Sequence, residues 1–314
     1  MILKNRIRLA TVIDTEGWIT IQKTNNKIGL VLQLGVGNTN PNLTDWLKST
    51  FGGSIYHRKS QSEYRKSCYT WRIYSNTASQ LLIEILPYLL IKKEQAELAI
   101  QFQSNMHGKS SALEPFSEEY QMKMVEMKKA MNKLNQKGKI NDIPLKEISI
   151  DSSIEEDYIR LAMLLDCEGY IGIYKINQSL GTIIGVGNTN PNLLSWISLK
   201  FGGAVSKTIR KNYNHRNYYT WRANTKKAKR LLELIKEYLI MKEEQAILGI
   251  LCETSDDFDF KKSLKARISV LNKKGIDITR NEVSEKTLDE NQRCGTLNSG
   301  GNPENMAEMT MSVS

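Results

Sequence analysis

The sequence predicts an α+β protein that contains one αββαββα unit twice, each unit with a four-stranded antiparallel sheet backed by helices. Three observations predict this fold. A nine-residue string recurs 150 residues further on, alternating apolar and polar residues predict strands, and apolar residues at helical spacing predict helices between them. A period of this length is too long for a solenoid. We therefore expect two copies of one domain, packed as a pseudo-symmetric pair.

Matched strings along the chain define the two copies. Residues 35–43 (Gly-Val-Gly-Asn-Thr-Asn-Pro-Asn-Leu) recur unchanged at 185–193, and Phe-Gly-Gly and Tyr-Thr-Trp-Arg strings follow at the same offset. Changes in the offset elsewhere indicate loops of different length. The predicted organisation is a first repeat over 1–140, a linker over 141–156, a second repeat over 157–280 and a disordered acidic tail over 281–314.

Each predicted element has a local signal. Alternation predicts strands, Asn40-Pro41 starts a helix, and Gly52-Gly53 ends it. In the first copy we expect helices over 4–14, 43–51, 76–103 and 118–136, and strands over 18–24, 29–39, 54–59 and 68–74. In the second copy we expect helices over about 157–166, 192–200, 225–251 and 258–273, and strands over about 170–177, 182–189, 204–211 and 217–224.

Composition and charge restrict the class of protein. Of the 314 residues, 40% are hydrophobic and none of the apolar runs approaches the ~18 residues of a membrane span. Four cysteines without a CxxC pair, and three histidines, make a zinc ribbon or a disulfide scaffold improbable. The tail of 34 residues has two basic and six acidic residues and so a charge of −4, which leaves about +14 on residues 1–280 and +10 on the whole chain. Such a body favours a polyanionic partner, although a generic basic protein would share this charge.

One face of each predicted sheet carries polar, basic and aromatic residues. A β-ribbon fits the major groove of DNA, where Gln and Arg read base edges. Solvated hairpin tips also accumulate Lys and Arg, so this reading competes with a simple solvent-facing surface. The candidate DNA-binding residues are Thr20, Gln22, Thr24, Lys27, Gln33, Arg58, Thr70 and Arg72 in the first copy, and Tyr170, Tyr174, Arg210, Thr220 and Arg222 in the second.

Two strings in register identify a family resemblance. Residues 9–17 (Leu-Ala-Thr-Val-Ile-Asp-Thr-Glu-Gly) and 161–169 (Leu-Ala-Met-Leu-Leu-Asp-Cys-Glu-Gly) each resemble the LAGLIDADG motif of homing endonucleases. The resemblance covers about residues 4–280 and is to the single-chain, two-motif type, whose sheets form a DNA-binding saddle. Ala10 and Ala162 match small residues of the motif, whereas Thr11 and Met163 stand at its glycine position.

The resemblance implies roles for particular residues. Glu16 and Glu168 match the metal-binding acid, and Asp14 and Asp166 match the earlier, mainly structural acid. Lys92 and Lys242 match a core-site lysine, so the implied catalytic residues are Glu16, Glu168, Lys92 and Lys242. Asn38 and Asn188, at the end of the second strand of each copy, are weaker candidates for the polar lining. The alternatives are a capped, solvated helix end for the acids and a surface position for the lysines.

Elementary electrostatics agrees with a metal at the two glutamates. Each glutamate follows a helix, where the negative end of the dipole disfavours another negative charge. Bringing the carboxylates together raises the pKa of one or both, and a divalent cation between them relieves the repulsion. Mg²⁺, or Mn²⁺, suits carboxylate, water and phosphate ligands. Such an ion activates water for attack on a phosphodiester.

The predicted function is a site-specific double-strand DNA endonuclease that cuts a long asymmetric target as a monomer. The alternatives are an RNA maturase that assists splicing of its host intron, with intron RNA as partner, and a catalytically silent DNA-binding regulator. The motif begins near the start of the chain, so we expect no targeting signal. The short apolar runs predict no membrane partner. The expected location is intracellular, either in a prokaryotic cytoplasm or in an organelle that encodes the gene.

Overall fold

The computed structural model describes residues 1–24, 29–60, 67–107, 117–135, 152–209 and 217–273. The predicted tail and residues 141–151 of the predicted linker lie outside them. The first copy contains α1 (Leu3–Thr15), β1 (Gly17–Lys23), β2 (Leu30–Asn38), α2 (Pro41–Phe51), β3 (Ser54–Arg58), β4 (Cys68–Tyr74), α3 (Ser75–Ile85), α4 (Lys93–His107) and α5 (Glu118–Leu134). The second contains α6 (Ile154–Glu168), β5 (Gly169–Ile176), β6 (Ser179–Asn188), α7 (Pro191–Phe201), β7 (Ala204–Thr208), β8 (Tyr218–Asn224), α8 (Thr225–Ile235), α9 (Glu243–Thr254) and α10 (Phe258–Asn272).

Each copy forms one four-stranded antiparallel sheet, in the orders β1-β2-β4-β3 and β5-β6-β8-β7. The predicted α+β class is therefore confirmed. One face of each sheet is buried under helices, with Ile19, Leu34 and Trp71 fully buried in the first copy and Ile171, Ile184 and Trp221 buried in the second. Within the described residues, the helices lack the combination of length and apolar character that a membrane span requires.

The matched strings around α2 and α7 have a common structural cause. Asn40 caps α2 by accepting from the Asn42 amide at 3.0 Å, and Pro41 occupies the first helical turn. Gly52 ends the helix at φ +74°, and the Trp71 indole donates to its carbonyl at 2.7 Å. Asn190, Gly202 and Trp221 repeat this arrangement in the second copy, with the same hydrogen-bond lengths. The repeated residues thus fix how the short helix is attached to its sheet.

The single long helices predicted over 76–103 and 225–251 are wrong. Each is two helices, separated by a 3-10 turn and an extended segment: Leu86–Tyr88 leads to Lys92 in the first copy, and Lys236–Tyr238 leads to Lys242 in the second. Pro87 accounts for one break, because proline removes a helical donor and clashes with the preceding turn. The second copy has no proline there, and its break is held by contacts from elsewhere in the fold.

Candidate active site and nucleic-acid interface

The two motif helices, α1 and α6, pack directly on each other. The residues at the motif's glycine position are both buried, Thr11 at 2% and Met163 at 0% exposure. The Thr11 hydroxyl donates to the Ile7 carbonyl of its own helix at 2.8 Å, so it is satisfied without a partner on the other helix. Met163 belongs to the apolar core of the first copy. The α1–α6 interface therefore accommodates residues larger than glycine at this position.

Packing of α1 against α6 brings Glu16 and Glu168 together at the helix ends. Burial raises the pKa of Glu16 to about 7, the charge of Glu168 adds to the rise, and Lys242 and Lys92 oppose it. The pKa of Glu168 is also raised by burial, against the opposing charges of Lys92 and Lys242. The sequence prediction that both glutamates and both lysines share one site agrees with this electrostatic coupling. Their catalytic roles remain predictions.

The strand ends contribute an amide to each glutamate. Asn38 Nδ2 lies 3.5 Å from Glu16 Oε1, and Asn188 Nδ2 lies 3.4 Å from Glu168 Oε1. These are long hydrogen bonds, near the limit for such an interaction. Each asparagine is oriented by its own Oδ1, which accepts from the backbone amide two residues further on, that of Asn40 or Asn190. Each asparagine therefore lies beside the glutamate of its own copy, and its role in the site remains a prediction.

Asp14 and Asp166 are tied into the backbone instead of facing an open site. Asp14 accepts from the amides of Leu90, Ile91 and Lys92 at 2.7, 3.1 and 2.9 Å. Asp166 does the same for the amides of residues 240–242, at 2.6 to 3.2 Å. Burial raises the pKa of Asp14, while these hydrogen bonds and Lys92 oppose the rise. This geometry agrees with the structural role that the resemblance implies.

Lys92 and Lys242 cap the ends of the motif helices. Lys92 Nζ donates to the carbonyls of Ile13, Asp14 and Gly17 at 2.6, 3.0 and 2.7 Å. Lys242 Nζ donates to the carbonyls of Leu165 and Asp166. An ammonium has three protons, so all of those on Lys92 are engaged. Only the charge of Lys92 is then left to influence the neighbouring acids, and burial lowers its pKa while those acids oppose that shift.

The residues present fit a divalent cation held largely by oxygen from outside the protein. Among the described residues, no group of three or more His, Cys, Asp or Glu side chains could hold a metal. Glu16 and Glu168 supply two carboxylates, and Mg²⁺ commonly binds through one or two carboxylates with waters and phosphates completing its shell. The raised pKa values show the repulsion and desolvation that a cation between the carboxylates would relieve.

The pKa of Glu16 predicts a pH-dependent metal affinity. A cation must displace the proton that Glu16 holds below about pH 7. We expect the Kd for Mg²⁺ or Mn²⁺ to rise by up to about tenfold for each pH unit below 7, and to be nearly constant above pH 7. Calorimetric titration of the free protein at pH 6, 7 and 8 measures this slope. An unchanged Kd from pH 6 to 8 would contradict the predicted titration.

Most of the predicted DNA-binding residues lie on the open faces of the two sheets. Strand register places Thr20 opposite Gln33, and Gly35 opposite Arg72. On the same face of the first sheet lie Gln22, Arg58 and Thr70. Tyr170, Tyr174, Thr220 and Arg222 lie on the corresponding face of the second sheet. Thr24 follows the end of β1, and its amide donates to the Gly29 carbonyl. Lys27 and Arg210 lie outside the described residues.

Gln33 lies on the predicted face of the first sheet, but its side chain is buried. Its side chain is only 1% exposed, accepts from Trp18 Nε1 at 3.5 Å and donates to the Tyr74 hydroxyl at 3.1 Å. The expectation of a free Gln33 is thus corrected, because alternation fixes which face a side chain joins and not what covers it. A base contact by Gln33 would require Trp18 to move.

Trp18, on the open face of the first sheet, is absent from the predicted set, although alternation along β1 would have found it. Trp18 and Tyr170 lie against Gly35 and Gly185, where an added Cβ would collide with the aromatic ring. This contact explains the first glycine of the repeated Gly-Val-Gly string, which provides space for a ring on the open face. On the first sheet the Arg72 guanidinium also lies 4.8 Å from the centre of the Tyr56 ring. Both sheets therefore present aromatic and cationic groups together.

Comparison with known proteins finds similarity in structure alone. The sequence matches no family model and no curated protein sequence. The structure of the LAGLIDADG homing endonuclease I-GzeII in complex with its DNA target has a TM-score of 0.59 at 15% identity, over 84% of this chain and 96% of that one. I-LtrWI bound to target DNA has a TM-score of 0.57 at 16% identity, over 85% and 96% of the two chains. I-SmaMI bound to uncleaved DNA with calcium ions has 0.55 at 18% identity, over 85% and 97%. The chain therefore has the two-domain fold of the LAGLIDADG homing endonucleases.

Proposed function

We propose that this chain is a site-specific DNA endonuclease that cuts both strands of a duplex with a divalent metal. The observation that carries the proposal is the meeting of Glu16 and Glu168 beside Lys92 and Lys242, at the point where both open sheet faces begin. Proteins with the same fold are described bound to DNA targets, and one of them to cleaved DNA. The net charge of +10 suits such a partner.

In this proposal the chain's own residues bind, orient and stabilise. Glu16 and Glu168 would hold Mg²⁺ or Mn²⁺, which supplies Lewis acidity and an activated water when bound. Asn38 and Asn188 orient the two carboxylates through their long hydrogen bonds. The positive charges of Lys92 and Lys242 offset the negative charge that grows on a phosphate during hydrolysis. The two pseudo-symmetric acids would serve one scissile phosphate on each strand.

The two open faces differ, which supports an asymmetric target read by one chain. Thr20 and Gln22 of β1 stand where β5 has Gly172 and Tyr174, although both strands follow the same motif. Side chains that differ between the halves read different base edges, so the two half-sites are expected to differ in sequence. A single chain that holds both acids needs no second copy to cut two strands.

The test is cleavage of a selected duplex by the purified protein. A plasmid library with a long randomised window, together with the DNA that flanks this reading frame, supplies candidate targets. We expect both strands of one sequence to be cut with Mg²⁺ or Mn²⁺ and none with a chelator. Tight DNA binding without cutting in either metal would favour the regulator instead. Faster splicing of a host intron without DNA cutting would favour the maturase.

A further inference from the structure

The segment between α3 and α4 and the segment between α8 and α9 each cross from one half of the molecule to the other. Leu90 and Ile91, which belong to the first copy, pack against the apolar core of the second copy. Ile240 and Met241 of the second copy pack against the core of the first. We call residues 86–92 the first crossover turn and residues 236–242 the second. Each crossover turn ends at a lysine of the candidate active site, Lys92 or Lys242.

An arginine from the motif helix of the other copy donates a hydrogen bond to each crossover turn. Arg160 Nη1, on α6, donates to the Tyr88 carbonyl of the first crossover turn at 2.8 Å. Arg8 Nη2, on α1, donates to the Tyr238 carbonyl of the second at 2.7 Å. Both arginines are almost fully buried, with exposures of 1% and 9%. The two contacts are equivalent: each runs from the motif helix of one copy to the crossover turn of the other, as expected for two copies related by pseudo-twofold symmetry.

Each crossover turn is therefore held from two sides. In the first turn Arg160 of the other half fixes Tyr88, and Asp14 of the same half fixes the amides of residues 90–92. The charge of Asp14 also attracts Arg160, and Asp166 attracts Arg8. These two sets of hydrogen bonds restrict the backbone position of the lysine at the end of the turn. Burying a guanidinium is expensive, and an apolar residue would provide the packing without that cost.

We infer that Arg160 and Arg8 are positioning residues that act across the molecule: Arg160 sets the place of Lys92, and Arg8 sets the place of Lys242. The inference rests on the proposed endonuclease function for its catalytic consequence. It makes each lysine of the site dependent on a side chain from the other repeat. Neither half of the site is then complete without its partner repeat.

Strand-resolved cleavage tests the catalytic consequence. The selected duplex carries a different label on each strand, and Lys92→Met and Lys242→Met identify the strand that depends on each lysine. We expect Arg160→Met to slow the Lys92-dependent strand by about tenfold to a hundredfold, as a misplacement of about 1 Å can do, with little change on the other strand. Arg8→Met should show the reverse pattern. Equal slowing of both strands by either variant would overturn the inference.

Hydrogen exchange tests the positioning without any nuclease activity. In Arg160→Met the amides of Leu90, Ile91 and Lys92 should exchange faster, whereas those of residues 240–242 should stay as in the unchanged protein. Arg8→Met is the matched control and should loosen only the second crossover turn. If the methionine variants do not fold, Arg160→Lys and Arg8→Lys keep the charge and are measured in the same way. Equal exchange changes in both turns, or none, would overturn the inference even if the protein proves not to cut DNA.

Discussion

Replacing Glu16 or Glu168 by glutamine is expected to reduce metal-dependent DNA cleavage on the order of 100-fold to 1000-fold. Each change keeps the shape of the side chain and removes a negatively charged ligand, so the loss falls on metal binding and on transition-state stabilisation. DNA binding should not weaken in the absence of metal, because the carboxylates that are removed repel phosphate. Cleavage of a labelled duplex over a range of Mg²⁺ concentrations, with binding measured in a chelator, separates the two effects.

Stability supplies the control for these glutamine variants. The pKa of Glu16 is raised from 4.5 to about 7, so the folded, metal-free protein loses stability from this group as pH rises from 4.5 through 7. Glu16→Gln removes that unfavourable charge, and at pH 8 the metal-free variant should be at least as stable as the unchanged protein. Full cleavage by both glutamine variants would exclude the two acids from the reaction. Loss of stability at pH 8 would instead indicate a structural role.

The sequence predicts the local parts of this fold well. The caps at Asn40 and Asn190, the glycine ends of α2 and α7, and the facing of β1 follow from side-chain chemistry within a few residues. Periodicity fails at residues 86–92 and 236–242, because a run of apolar residues has the same pattern whether it continues a helix or crosses into another core. Pro87 is the one local signal of the break.

The candidate site shows the same division between local and long-range information. The acids and lysines could be assigned through the resemblance, since the acids lie in the motif itself and each lysine lies three residues before the Gln of a Gln-Ala pair. The contacts of Arg160 with Tyr88 and of Arg8 with Tyr238 span 72 and 230 residues. Spacing along a sequence carries no information about such pairs. The burial of Gln33 beneath Trp18 likewise depends on a neighbouring strand.

Asp14→Asn and Asp166→Asn are expected to have the largest effect on stability, a loss of about 3 kcal/mol each. Oδ2 of Asp14 accepts from the Leu90 amide, and Oδ1 accepts from the amides of Ile91 and Lys92. Asparagine has one oxygen, so its NH₂ group must face at least one of these buried N–H groups. A buried donor without an acceptor costs about 1–3 kcal/mol, and breaking up a buried charged network costs about 3–5 kcal/mol.

Urea unfolding of the metal-free protein at pH 8 measures this loss, and Glu16→Gln is the matched control because it also replaces a carboxylate at the end of α1. The two aspartates hold equivalent turns, so the two asparagine variants should lose similar amounts. Both should also weaken cleavage, because the amides that they release include those of Lys92 and Lys242. Unchanged unfolding midpoints in both variants would show that the crossover turns are held without their aspartates. The lysines would then depend on Arg160 and Arg8 alone, and exchange of the residue 90–92 amides in Asp14→Asn would remain slow.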